Sequence, residues 1–330
     1  MTINQTDAGV APSRFRVPET VSPEASAILK VMYEAGEQQP APTRPETTAD
    51  FDNANKLMEA AFAPWNQQLA ATLGTTIRRE TIGDVPVVRI TPREHRSSGR
   101  ALLYVHGGAY VYFSSATLVG LPALIATATG DEVISIDYTL APRGRWQAVT
   151  DQVLAVWKTL LASVLDARSI GLFGDSADGG LAAGAVLKMR DQHLPLPAAL
   201  WLVSPWSDIT GLGDTYETLK DADPILTPES LAWAADAYAD VADQKHPYVS
   251  PVYGDYAKPF PPTLIQGGTR EIFLSNFVRQ YQVIRDGRHE AVLDLYEGMP
   301  HVFHSLVPDA PESKTAVARA ATFFDGYLDR

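Results

Sequence analysis

The residues most able to do chemistry lie in the segment Ser169-Ile170-Gly171-Leu172-Phe173-Gly174-Asp175-Ser176-Ala177-Asp178-Gly179-Gly180. An apolar run enters a Gly-x-Ser-x sequence and leaves it directly as an Ala-rich helical stretch. Such a turn from strand to helix exposes the Ser176 hydroxyl at the carboxyl edge of a sheet. It also aims the Ala177 N–H, at a helix N-terminus, toward any negative charge that develops beside Ser176. This is the chemistry of a hydroxyl nucleophile attacking a carbonyl. Taken alone, the same sequence also describes a surface serine in a glycine-rich turn.

A second segment, Tyr104-Val105-His106-Gly107-Gly108-Ala109-Tyr110, again follows an apolar run. Paired glycines let the backbone approach a substrate with its N–H groups turned inward. The N–H groups of Gly107, Gly108 and Ala177 would then form a three-donor oxyanion hole. The competing reading is an ordinary strand-to-helix turn, with His106 holding the loop and taking no part in catalysis.

A hydroxyl nucleophile needs a base, and the chain has seven histidines. His95, His193 and His289 lie in charged stretches, and His246 sits in a long irregular interval beside Pro247. His301, in Glu297-Gly298-Met299-Pro300-His301, follows the last strand-like run on a Gly/Pro loop, where sheets of this type carry their sites. His304 is its rival and would otherwise cap the following helix. The acid that orients the base is expected after the penultimate strand, where Gly267-Gly268-Thr269-Arg270-Glu271 offers Glu271; its plainer reading is a solvated loop charge. The order Ser176, Glu271, His301 is one of three known triad orders.

These residues need a scaffold, and the pattern around them supplies one. Short apolar runs at Ala101–Val105, Val133–Asp137, Ile170–Phe173, Ala198–Val203, Thr263–Gln266 and Ala291–Tyr296 alternate with helical stretches. The helical stretches are Thr117–Thr129, Gln147–Leu161, Gly180–Arg190, Leu274–Asp286 and Ser313–Leu328. Unalternating apolar strands between amphipathic helices predict an α/β fold with a mostly parallel sheet covered on both faces. Thr81–Pro92 reads as a hairpin turning at Gly83-Asp84. The first twenty residues read as frayed. Helices follow from Pro23 to about Leu73, with apolar positions at Ile28, Val31, Met32, Phe51, Leu57, Phe62 and Leu69, broken between Gln38 and Thr48. The interval from Val203 to Thr263, with a helix near Pro228–Tyr238, is too long for a plain connection and reads as an insertion at the sheet's carboxyl edge.

Composition narrows the function classes. At 45% hydrophobic and 20% charged, the chain can bury a substantial core. Its net charge of -12, from 27 Lys and Arg against 39 Asp and Glu, argues against nucleic-acid partners and anionic membrane surfaces. The absence of cysteine removes disulfides, thiolate nucleophiles and Cys-ligated metals. No metal site is expected. The N-terminus lacks the basic and apolar regions of a secretory signal, and no uncharged apolar run reaches membrane-span length, so the expected location is cytoplasmic.

His106-Gly107-Gly108, Gly174-Asp175-Ser176-Ala177, Ser204-Pro205-Trp206 and Gly298-Met299-Pro300-His301 resemble the hormone-sensitive-lipase-like esterases of the α/β-hydrolase superfamily, also called bacterial family IV. The resemblance spans about residues 75–330. It implies a carboxylesterase acting on short- to medium-chain acyl esters, with no cofactor, a small-molecule ester as partner and a homodimer as one common assembly. It also implies a helical cap over a 75–330 catalytic domain, built from residues 1–74 and an insertion at 207–258. An amidase, lactonase or deacetylase would use the same machinery, and a non-catalytic ligand-binding relative is the alternative of another class. Tyr110, Tyr112, Phe113 and Trp206 flank the motifs as candidate pocket walls, or as ordinary core aromatics.

Five positions, in four places, depart from the family pattern. Asp178 stands where the second elbow glycine is expected, a position that packs closely against neighbouring strands. A carboxylate about 6 Å from the oxyanion, at an effective dielectric near ~20, would oppose it by about 3 kcal/mol. On that reading Asp178 attenuates the enzyme and Asp178→Gly raises kcat; on the benign reading its charge favours the helix N-terminus. Thr139 and Arg143, in Asp137-Tyr138-Thr139-Leu140-Ala141-Pro142-Arg143, replace an arginine and a glutamate and alter a structural ion pair. Ala109 replaces a third glycine. Glu271 replaces the usual aspartate.

Overall fold

A computed structural model describes residues 16–38, 43–96, 99–163 and 165–329. The expectation of a frayed start falls largely on residues 1–15, outside that set.

Eight strands form one sheet: β1 (Thr76–Ile82), β2 (Val85–Thr91), β3 (Ala101–Val105), β4 (Glu132–Ile136), β5 (Ile170–Asp175), β6 (Ala199–Val203), β7 (Thr263–Gly268) and β8 (Ala291–Tyr296). The order is β1-β2-β4-β3-β5-β6-β7-β8. β2 is antiparallel to both β1 and β4, and all other neighbours are parallel. The predicted hairpin forms about Gly83-Asp84, with its first strand starting earlier than expected, at Thr76.

Among the described residues, ten α-helices surround the sheet: α1 (Pro23–Gln38), α2 (Thr48–Leu73), α3 (Gly120–Thr129), α4 (Trp146–Ala162), α5 (Ala177–Asp191), α6 (Thr215–Thr218), α7 (Pro228–Tyr238), α8 (Leu274–Asp286), α9 (Phe303–Leu306) and α10 (Pro311–Tyr327). Strand side chains alternate between faces with a period of two. Leu103 and Val105 of β3, with Leu172, Leu200 and Ile265, meet α4, α5 and α8. Leu102 and Tyr104, with Phe173, Trp201 and Leu264, meet α3 and α10. Both faces of the central strands are therefore dry, which is why those strands read as unbroken apolar runs.

The N-terminal helices bury Phe51 as the apolar spacing suggested, but otherwise mostly different residues. In α1 the inward stripe is Ala25, Leu29 and Tyr33, spaced by four, while Val31 is 62% exposed. This stripe covers Met299 and Phe303, on either side of His301. In α2, Leu57 is 73% exposed, and polar side chains add to the apolar attachment made by Phe51 and Ala70. Asn55 Oδ1 accepts from the Phe113 N–H at 2.5 Å, and Glu59 accepts from the hydroxyls of Ser114 and Thr117. Hydrophobic counting misses such a face because its specificity lies in hydrogen bonds to the facing loop. Thr47 caps α2 reciprocally with Asp50, and Gly74 ends it in the left-handed conformation. Arg143 pairs with Asp52 on α2, at 2.6 Å for one of its two contacts, so the altered Asp137–Arg143 segment ties α2 to the sheet.

The insertion after β6 contains α6 and α7 and rejoins the sheet at β7. Asp223, within it, accepts the backbone N–H groups of Ile225, Leu226 and Ile272. Among the described residues, no helix is long and apolar enough to cross a membrane.

Asn66 joins α2 to α3. Its Oδ1 accepts the Gly120 N–H at 2.9 Å, and its Nδ2 donates to the Phe62 carbonyl at 3.1 Å. Asn66→Ala leaves a buried N–H unpaired and is expected to lower unfolding free energy by about 1–3 kcal/mol. Urea denaturation checks this, and an unchanged midpoint would contradict it.

Candidate active site

The sheet's carboxyl edge gathers Ser176, Glu271 and His301, from the ends of β5, β7 and β8. Ser176 lies between β5 and α5 with φ 58° and ψ -129°, a conformation that costs a non-glycine residue of order 1–3 kcal/mol. Two backbone bonds clamp it: its N–H donates to the Val203 carbonyl at 2.8 Å, and its carbonyl accepts from the Trp206 N–H at 2.7 Å. A Cβ at Gly174 would stand 2.2 Å from the Asp178 carbonyl oxygen, so only glycine fits where strand and helix cross.

Ser176 Oγ lies 2.8 Å from His301 Nε2, and His301 Nδ1 lies 2.6 Å from Glu271 Oε2. The carboxylate requires a proton on Nδ1, leaving Nε2 free to accept from the serine. Burial acts to depress the His301 pKa, but hydrogen bonding and charge from Glu271, with Asp223 and Asp175 behind it, outweigh this and raise it above its ordinary value. Glu271 is fully buried, and its other oxygen accepts from the Ser204 hydroxyl at 2.8 Å and the Gly268 N–H at 2.5 Å. Ser204 Oγ also accepts the Val302 N–H at 3.1 Å, joining the loops of acid and base. The sequence reading gave Ser204 no role, although Ser204-Pro205-Trp206 was one of its motifs. Asp223, also unassigned, holds the Ile272 N–H next to Glu271.

His304, the rival base, faces the core. It contacts Gln266 Oε1 at 3.2 Å and packs edge-on to Trp201; burial, with His301 nearby, pushes its pKa down to about 3. His106 is also buried and depressed by desolvation, with Nδ1 3.0 Å from the Gly107 carbonyl and its ring stacked on Tyr138.

The oxyanion assignment changes at one position. The Gly107 N–H is already spent on Asp175 Oδ1 at 2.8 Å, so it cannot also serve an oxyanion. Asp175, one residue before Ser176, takes the Tyr104 hydroxyl as well and thereby pins the glycine loop to the elbow. Among the described residues the N–H groups of Gly108, Ala109 and Ala177 donate to no protein acceptor. Gly108 has φ +130°, and a Cβ there would meet the Tyr112 carbonyl oxygen at 2.2 Å.

Asp178 also reads differently in the fold. It is fully buried, with its Oδ2 2.9 Å from the Tyr138 hydroxyl. Burial, and then the neighbouring Asp175, raise its pKa well above the carboxylate range. These effects favour the protonated form, in which the repulsion expected from a carboxylate is absent. Of the aromatic candidates, Tyr110 is sealed in the core, its hydroxyl donating to the Ala177 carbonyl and its ring stacked on Tyr238. Tyr112 is half-buried, and Phe113 packs on Phe62. Trp206 lines a cavity of about 330 Å³ with Tyr216, Leu231 and Ala235; on its other faces it stacks on Tyr110 and on Phe273, which packs edge-on to His301.

Residues 102–305 match the family defined by the α/β-hydrolase fold. An acetyl-hydrolase of Streptomyces hygroscopicus is 32% identical over 231 residues, 70% of this chain and 77% of its own. The crystal structure of esterase E25 superposes with a TM-score of 0.84 at 29% identity, over 99% of both chains. That of an esterase from the bacterial hormone-sensitive lipase family gives 0.79 at 29%, over 93% of this chain and 99% of the other. The chain thus belongs to the hormone-sensitive-lipase-like esterases of the α/β-hydrolase superfamily.

Replacing Glu271 by Gln removes the charge that holds the imidazole up, leaving burial to dominate. The His301 pKa in Glu271→Gln is expected to fall below the wild-type value in an NMR titration of ring protons; an equal or higher value would contradict the assignment.

Proposed function

We propose that this protein is a carboxylesterase for short- to medium-chain acyl esters, with Ser176 as nucleophile, His301 as base and Glu271 as orienting acid. The observation that carries this reading is the unbroken relay from Ser176 Oγ through both His301 nitrogens to a fully buried carboxylate. Relatives named esterase and acetyl-hydrolase support the ester class and the short end of the acyl range.

His301 Nε2 takes the Ser176 proton as Oγ bonds to the ester carbonyl carbon. The carbonyl oxygen becomes an oxyanion, and the unspent N–H groups of Gly108, Ala109 and Ala177 are the donors proposed to receive it. Glu271 stabilises the resulting imidazolium without taking its proton. The carbon–oxygen bond to the alcohol then breaks, and His301 returns the proton to the departing alkoxide oxygen. In the second half, water loses a proton to His301 and attacks the acyl-serine carbonyl, and Ser176 leaves reprotonated. Each removed donor would cost about 10²–10³-fold in kcat. Burial and Asp175 favour the protonated, uncharged form of Asp178, which weakens the electrostatic ground for an attenuated, ligand-binding relative.

A p-nitrophenyl ester series from acetyl to decanoyl, paired with a fluorophosphonate label mapped by mass spectrometry, tests this directly. Turnover is expected to be greatest among the shorter acyl chains, with the label on Ser176. Ser176→Ala is expected to fold normally and to lose about 10⁶-fold in kcat. Turnover near wild type in that variant, or a label elsewhere, would overturn the reading.

A further inference from the structure

We propose that Asp178 is a positioning residue for the oxyanion loop: as a neutral carboxyl it donates to the Tyr138 hydroxyl, which is then free to hold the His106 carbonyl.

The inference starts from counting protons. The Tyr138 hydroxyl has one proton, yet it stands 2.9 Å from Asp178 Oδ2 and 3.3 Å from the His106 carbonyl oxygen, both acceptors. If Asp178 were a carboxylate, it would claim that proton and His106 would lose it. A protonated Asp178 reverses the first bond and satisfies both. The second carboxyl oxygen, Oδ1, is buried and has no partner, a state tolerable for the carbonyl of a neutral acid and costly for an anion. The groups facing Asp178 are Asp175 at the end of β5, Tyr104 of β3, Tyr110 after β3, Tyr138 after β4 and Tyr238 of α7. None of them is a cation.

The chain of contacts leads to the chemistry. Asp178 lies two residues beyond Ser176 on α5, and Tyr138 stacks on the His106 ring at 4.6 Å with the planes 13° apart. His106 immediately precedes the loop that carries Gly108 and Ala109. Asp175 fastens the same loop from the other side of Ser176, through the Gly107 N–H. The two acids thus span nucleophile and oxyanion loop from either side, Asp175 supplied with N–H and hydroxyl donors and Asp178 neutral.

This rests on the esterase reading, and the experiment separates the two. kcat is measured per active site titrated with the fluorophosphonate, so that misfolded protein does not count. Asp178→Ala and Tyr138→Phe are each expected to lower kcat about tenfold, with KM held within about twofold, the cost of a small misplacement of the donors. Their double variant should fall no further than either alone, since both break one chain. Asp178→Asn, whose amide N–H replaces the acid O–H and cannot ionise, should stay within about threefold of wild type. It should also lack the decline in kcat expected of wild type as rising pH ionises Asp178. Wild-type kcat in Asp178→Ala, multiplicative losses in the double variant, or the same alkaline decline in Asp178→Asn would overturn the proposal. If Asp178→Ala does not fold, the pH profile of Asp178→Asn decides it. A wild-type protein that neither turns over nor labels at Ser176 would overturn the esterase reading and this inference with it.

Discussion

Ser176 occupies a backbone conformation that a serine adopts only under constraint, and the surrounding structure is arranged to impose it. The N–H and carbonyl of Ser176 are both bonded to the chain at the end of β6, to Val203 and Trp206. Those two bonds make the turn part of the sheet, so that straightening it would cost ladder and core together. The same edge holds Ala109, Tyr110, Phe113, Ser204 and Val302 at positive φ. Backbone strain of order 1–3 kcal/mol per residue persists only where neighbours over-determine it, and here it clusters on the loops that converge on the serine. The burial of both sheet faces supplies the stability against which this strain is held.

A second constraint is the management of buried carboxyl groups. Asp175, Asp178, Asp223 and Glu271 are all buried near the site, and burial disfavours the charged form of each unless donors compensate. Asp223 has three backbone N–H groups, yet desolvation still raises its pKa to about 6. Glu271 has Ser204, Gly268 and His301, and Asp175 has Gly107 and Tyr104. Asp178 alone has one hydroxyl and an empty second oxygen, which marks it as the neutral member of the set. Donor supply, not residue type, separates the other three from Asp178. The donors come from different strands and from the insertion, so the fold as a whole sets the charge at the site.

The N-terminal helices and the Ser176, His301 and Glu271 cluster share this network. Tyr33 of α1 accepts from Arg270 and donates to Ala222, next to Asp223, whose carboxylate holds the Ile272 N–H beside Glu271. α1 also covers the His301 loop through Leu29, and α2 holds the loop after the glycines through Asn55 and Glu59. The segments that look least like a hydrolase in sequence thereby carry bonds on which the positions of base and acid depend.

The amino-acid sequence by itself determined the strand and helix order, because unbroken apolar runs and amphipathic stretches are local patterns with different periods. It also determined which residues stand at the carboxyl ends of strands, and so singled out Ser176, His301 and Glu271 for one edge. What it could not contain is which partner each polar group takes. Gly107 looked like a free donor until Asp175, 68 residues away, was seen to use its N–H. Asp178 looked like a charge until Tyr138 and a dry core made it a neutral acid. The inward face of α1 was misjudged because Val31 and Leu29 are equally apolar, and only the docking surface chooses between them. Hydrogen-bond partnership and desolvation depend on atoms brought together across the chain, and only the tertiary structure decides them.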